Sequence, residues 1–157
     1  MSHIPVNHHL RPLYRTLAGF AAVYLLVFGV VGVAQTSGAG LFARDNVSAL
    51  GLRTNLAFSI ASVIAGGVIL LAVFVGRNVD AALNLWGGIG FMAAGLAGLA
   101  LLRTDLNVLN FSLATVIVSF VIGVLLFSAG LYGRSARPAA AHAAPAHPAP
   151  AHARAGD

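Results

Sequence analysis

The sequence predicts an all-α, polytopic membrane protein, a bundle of four transmembrane helices built as two hairpins. Three observations carry that prediction. Hydrophobic residues make up 59% of the 157 positions and charged residues only 8%, too little polar surface to solvate a globule of this size. Four apolar runs, residues 17–34, 56–75, 83–102 and 111–131, contain no Asp, Glu, Lys, Arg or His, and each is close to the ~20 residues a helix needs to cross a hydrocarbon core. Their apolar residues are continuous rather than alternating, and backbone groups in lipid must be paired within the segment, so the spans are helices rather than barrel strands. Finally, "RTNLAFSIASVI" at 53–64 is nearly repeated by "RTDLNVLNFSLATVI" at 103–117.

In chain order, residues 1–12, with His3, Pro5, His8, His9 and Pro12, read as a short cytoplasmic arm. The membrane domain covers residues 13–134. The first span starts after Arg11 and Arg15 and ends near "GVAQTSG"; a cleavable signal would leave three spans, but the apolar stretch exceeds the about 7–15 residues of a signal core. Residues 35–55 are the longest connection, where "LFARDNVSALGL" mixes apolar and polar residues. It reads either as a short interfacial helix capped near Asp45 or as a loop whose apolar residues touch the bundle. The third span carries Gly90, Ala94 and Gly98 at four-residue intervals, a ridge for close helix contact. Trp86, Tyr14 and Tyr132 are placed near span ends, where amphipathic rings suit the interface. Residues 135–157 form an Ala, Pro and His tract that lacks large apolar side chains and predicts disorder. His142, His147 and His152 recur there every five residues; a neutral spacer, a charge-tunable tail and a weak metal binder are the readings in order of preference.

The net charge of +5 comes from nine Arg and four Asp. The arginines are scattered beside the spans with no phosphate-binding stripe, so nucleic acid is not an expected partner. Arg11, Arg15, Arg77, Arg134, Arg137 and Arg154 fall on one side of the membrane and Arg44, Arg53 and Arg103 on the other, which places both termini in the cytoplasm. The absence of cysteine excludes disulfides and thiolate sites.

The repeated phrase predicts two parallel hairpins. "FSIASVI" at 58–64 and "FSLATVI" at 111–117 agree at five of seven positions, and the helices end in "VGR" and "YGR". Each copy begins in the cytoplasm, so the halves share orientation, related by an axis along the membrane normal. Thr54 or Asn55, and then Asp105, Asn107 or Asn110, stand where the second and fourth helices leave the interface, and are read as caps. Arg53 and Arg103 reach headgroups or neighbouring carboxylates, completing an outer polar ring. Ser59, Ser62 and Gly66 share one helical face, and Ser112, Thr115, Ser119 and Gly123 another; both read as packing seams, with a pore lining as the alternative.

No span carries an inward ionisable or metal-binding side chain, so no catalytic residue, cofactor or metal site is assigned and no enzyme activity is expected. "HLRPLYRTLAGFAAVYLLVFGVVG", "LGLRTN", "VGRNVD" and "NVLNFSLATVIVSFVIGVLLFSAGLYG" resemble a family of small four-helix actinobacterial membrane proteins catalogued as a domain of unknown function. The resemblance covers about residues 4–134 and implies a plasma-membrane location and four spans, with no binding residues to carry over. The expected role is a noncatalytic structural or accessory component, in contact with the lipid bilayer and with further copies of itself or another membrane protein. The alternative is a small transporter or channel for a neutral or lipid-like solute, its path lined by Ser59, Ser62, Ser112, Thr115 and Ser119.

Overall fold

A computed structural model describes residues 9–135; the expectations placed on His142, His147, His152 and most of the N-terminal arm lie outside them. Four helices make up the bundle: α1 (Arg11–Thr36), α2 (Leu56–Val75), α3 (Val79–Leu101) and α4 (Leu113–Tyr132). All four are long and apolar enough to cross a membrane. α1 packs most extensively on α2 and α3 on α4; contact between α1 and α4 is smaller, and α2 meets α3 least. The bundle is therefore two hairpins joined along α1 and α4, with a looser seam between α2 and α3.

Three helices begin elsewhere than their apolar runs. α1 begins at Arg11, six residues before the run, because Pro12 is tolerated in a first turn where no intrahelical amide bond is required. α3 begins at Val79 and so takes in Asp80. α4 begins two residues after Phe111, at Leu113, because Ser112 is its cap. Residues 35–55 form no interfacial helix. They contain a two-residue antiparallel hairpin, β1 (Ser48–Ala49) and β2 (Leu52–Arg53), with Ala49 opposite Leu52. Leu50 and Gly51 turn the chain with φ of 49° and 81°, the double positive φ of a tight hairpin turn. The hairpin prevails over a helix because Ala49 and Leu52 are buried beside Phe28 while Leu41, Phe42 and Leu50 stay exposed.

Large side chains point outward and small ones inward. Phe20, Phe74 and Trp86 are 69–75% exposed, whereas Ala18, Ala22, Ala129, Gly66, Gly88 and Gly123 are buried. Lipid tails are as apolar as any core, so burial of Phe or Trp gains little, while close backbone approach gains dispersion contacts. Trp86 lies seven residues into α3, about 10 Å from its start. Tyr14 and Tyr132 stack at one end, with ring centroids 5.2 Å apart.

The glycine seams differ in part from the expected ridge. A Cβ on Gly66 would stand 2.8 Å from Ala22 O and Leu26 N of α1, and one on Gly29 would stand 2.7 Å from Ser59 O and Val63 N of α2. In the second hairpin Gly88 lies against the backbone of Gly123 and Phe127, Gly123 against Met92, and Gly130 against Leu85. The α3 face toward α4 is thus Gly88, Met92, Gly95 and Gly98. Of the predicted Gly90, Ala94 and Gly98, only Gly98 belongs to it. The reason is geometric: steps of four residues advance about 400°, so a strict four-residue row winds away from a fixed neighbour, whereas alternating steps of four and three do not. A Cβ on Gly90 would meet nothing within 4 Å.

These distances make the seam testable. Gly88→Ala should destabilise the bundle by about 1–3 kcal/mol, the usual cost of overpacking, while Gly90→Ala should be neutral or stabilising by up to about 1 kcal/mol through helix propensity. Thermal melts followed by circular dichroism in one detergent check both.

Candidate functional site

The polar side chains of this apolar chain gather at the two ends of the bundle and along one internal seam. At the loop end, Asn55 precedes α2 in extended conformation, and its Oδ1 accepts from Phe58 N at 2.9 Å. Its Nδ2 donates to Val108 O at 2.7 Å, tying α2 to the α3–α4 connection. Asn110 holds a φ of 56°, a left-handed conformation that Asn tolerates better than most residues. From there its Nδ2 donates to Asp45 O at 2.9 Å and to Thr54 O at 3.1 Å. Thr54, Asn55 and Asn110 are each at most 5% exposed. The three form a buried knot that fastens both loops to the start of α2.

The expected outer ring is therefore two different things. Thr54, Asn55 and Asn110 are internal, with their polar atoms turned to backbone groups and to Ser59. Arg53, Arg103 and Asp105 are exposed. Asp105 pairs with Arg44 at 3.3 Å, not with Arg103. The expected caps divide similarly. Asn55 caps α2, but α4 is capped by Ser112, whose Oγ accepts from Thr115 N at 3.2 Å. Asp105 and Asn110 cap nothing there; Asn107 accepts from Phe111 N at 2.8 Å and closes the turn before the helix. The two copies of the phrase thus enter their helices differently: α2 starts before its Phe-Ser pair and α4 after it.

The hydroxyl seam runs inward from this knot. Ser59 Oγ meets Thr54 Oγ1 at 2.8 Å, Ser62 Oγ donates to Phe58 O at 2.8 Å, and Ser119 Oγ donates to Thr115 O at 2.9 Å. Thr115 and Ser112 hydroxyls meet at 2.9 Å. Phe58 and Phe111, the same residue in the two copies, bring their ring centroids to 5.1 Å. The space enclosed among Phe58, Ser62, Phe91, Thr115 and Ser119 is about 10 Å³, at the lower limit for one water.

At the other end, where both termini emerge, α1 acts as a clamp. Arg11 Nε donates to Gly133 O at 2.8 Å, just past the end of α4. One turn later Arg15 donates through Nε, at 2.9 Å, and through Nη2 to Val73 O in the last turn of α2. Both guanidinium groups meet carbonyls at helix C-termini, where the helix dipole favours positive charge. Asn78, with a φ of 68°, exchanges bonds with Ser135: Nδ2 donates to Ser135 O at 2.9 Å and Oδ1 accepts from Ser135 N at 2.7 Å. Gly76 needs its φ of 62° for the turn into α3, and a Cβ there would meet Arg15 at 3.3 Å.

Sequence reasoning missed Asp80 and Asn84, which stand one turn apart on α3 and are 3% and 2% exposed. Asp80 Oδ2 lies 3.9 Å from Arg15 Nε, while Asp80 Oδ1 and Asn84 Oδ1 have no hydrogen-bond donor among the described residues. Asp80 escaped notice because the uncharged run begins at 83; its i, i+4 spacing to Asn84 was the available signal. No protein-family model, no curated protein and no solved structure matches this chain.

Two predictions concern these ends. Asn110→Ala should cost about 1–3 kcal/mol by leaving buried carbonyls without a donor. Asn110→Gly should cost less, because Gly adopts positive φ freely, and Arg103→Gln should leave the melting temperature unchanged. Asp80→Ala and Arg15→Ala should each lower that temperature, and the double variant should lose less than their sum; additive losses would remove the pair from the account.

Proposed function

We propose that this membrane protein is a noncatalytic structural or accessory component of a bacterial plasma membrane. It has cytoplasmic termini and associates with another membrane helix, from a further copy or a different protein, rather than moving a solute. One observation carries this reading. The hydroxyls that would line a path are bonded to one another or to backbone carbonyls, and the space that Ser62, Thr115 and Ser119 share is about 10 Å³. A neutral solute would have to widen that space and compete with those carbonyls and hydroxyls for each hydrogen bond. Orientation rests on the arginine distribution about the spans.

A surface for association is supplied by the residues that the internal seam leaves unused. Gly90 and Ala94, with Ala61, Ala65 and Gly87, line an open apolar groove of about 310 Å³ between α2 and α3. Small residues on a lipid-facing surface permit the backbone approach that drives helix association in membranes. Gly90→Leu adds its side chain to open space, so it should fill the groove without disturbing the bundle.

Quantitative mass spectrometry of the protein purified from its native membrane, in a lipid-preserving medium and against an unrelated four-helix control, tests the reading. A stoichiometric partner or a defined oligomer is expected, reduced at least several-fold by Gly90→Leu with the melting temperature retained. A monomer without a partner, together with solute flux in proteoliposomes that Ser62→Leu abolishes, would replace the accessory reading with the transport one.

A further inference from the structure

A further cavity lies away from the groove and seam discussed above. It is an open cleft of about 540 Å³ between α1 and α2 at the terminal end, lined by Arg11, Arg15, Thr16, Phe20, Leu70 and Phe74 among others. On α1 the lining residues run from Arg11 to Val23 along one face, a rise of about 18 Å. Half of a hydrocarbon core is about 15 Å. The cleft therefore extends over roughly one leaflet, with its polar residues at the end where a headgroup lies and its apolar residues along the length where an acyl chain lies.

The charge at the mouth is unbalanced. Arg11 Nε bonds Gly133 O, leaving both terminal nitrogens without a hydrogen bond among the described residues. Arg15 spends Nε and Nη2 on Val73 O, leaving Nη1. Among the described residues the sole carboxylate paired with either is that of Asp80, which approaches Arg15 from α3 at 3.9 Å and is 3% exposed. One guanidinium charge is left over, and its donors are fixed in place by the same bonds that close α2 and α4. A bound anion would find donors already oriented, and a headgroup that carries its own acyl chains would gain the apolar cleft as well. A soluble anion would use only the first feature.

We propose that this cleft binds an anionic phospholipid of the leaflet on the side of the termini. The phosphate engages the free nitrogens of Arg11 and Arg15, and one acyl chain lies along Gly19, Phe20, Val23, Leu70 and Phe74. The site is independent of the association groove between α2 and α3, so failure of either leaves the other standing.

Native mass spectrometry of the full chain in detergent, titrated with phosphatidylglycerol and with phosphatidylcholine of the same acyl chains, tests the proposal. Phosphatidylglycerol should bind at a concentration about fivefold or more lower. Gly19→Leu should abolish that preference, because a side chain at 19 enters the cleft and a Cβ there meets only Val73 Cγ1 at 4.0 Å. Arg11→Gln should weaken phosphatidylglycerol about fivefold and leave phosphatidylcholine unchanged; Arg11→Lys should restore much of the loss. Equal binding of the two lipids by the unaltered protein, or an undiminished preference in Gly19→Leu, would overturn the proposal. Displacement of the lipid by millimolar inorganic phosphate would also overturn it, by reducing the site to one for a soluble anion.

Discussion

A polar backbone group inside a membrane must find its partner within the protein, and the helix ends, where the regular ladder stops, are where that demand is greatest. This chain meets it with very few side chains. At the terminal end two arginines, one turn apart on α1, reach the closing carbonyls of α2 and α4. At the loop end Asn55 and Asn110 serve the start of α2 and the connections around it. Apart from the Asn55 cap on Phe58, each tie joins segments more than fifty residues apart. The same bonds that close a helix therefore also fix how the helices sit relative to one another.

Between the two ends the bundle is held by proximity. Gly29, Gly66, Gly88 and Gly123 let backbones meet where any side chain would collide, and the serine and threonine hydroxyls fold back onto carbonyls of the preceding turn or onto each other. Among the described residues, the space that Ser62, Thr115 and Ser119 line in this interior is about 10 Å³. The larger openings lie outside it, between α1 and α2 and between α2 and α3. Their chemistry differs: the first joins arginines to an apolar cleft, and the second is almost wholly apolar and floored by small residues. A lipid suits the former and a neighbouring helix the latter.

The repeated phrase shows how sequence identity and structural role separate. Phe58 and Phe111 meet ring to ring at the loop end, although Phe58 lies within α2 and Phe111 before α4. Their following serines differ: Ser59 is buried within α2 against Thr54, while Ser112 stands outside α4 as its cap. The later matches, Gly66 with Gly123 and "VGR" with "YGR", are displaced by four further residues. One turn of helix has in effect been moved from before the phrase to after it. Both glycines still face the preceding helix of their own hairpin, since a shift of about one turn returns a residue to nearly the same side.

The sequence by itself determined the four spans, their helical state, the hairpin order and the inward faces of α2 and α4. These follow from the length of uncharged runs and the spacing of small residues, which act locally. It also placed the cap Asn55. Only the tertiary structure decided that Ser112 caps α4, that Asp105 pairs with Arg44, that residues 48–53 form a strand pair, and that Gly88 rather than Gly90 faces α4. It also decided that Arg11 and Arg15, legible only as topology markers, clamp two helix ends beside the buried Asp80. Each of these depends on which distant backbone group lies within reach of a side chain, and that distance is set by how the helices pack.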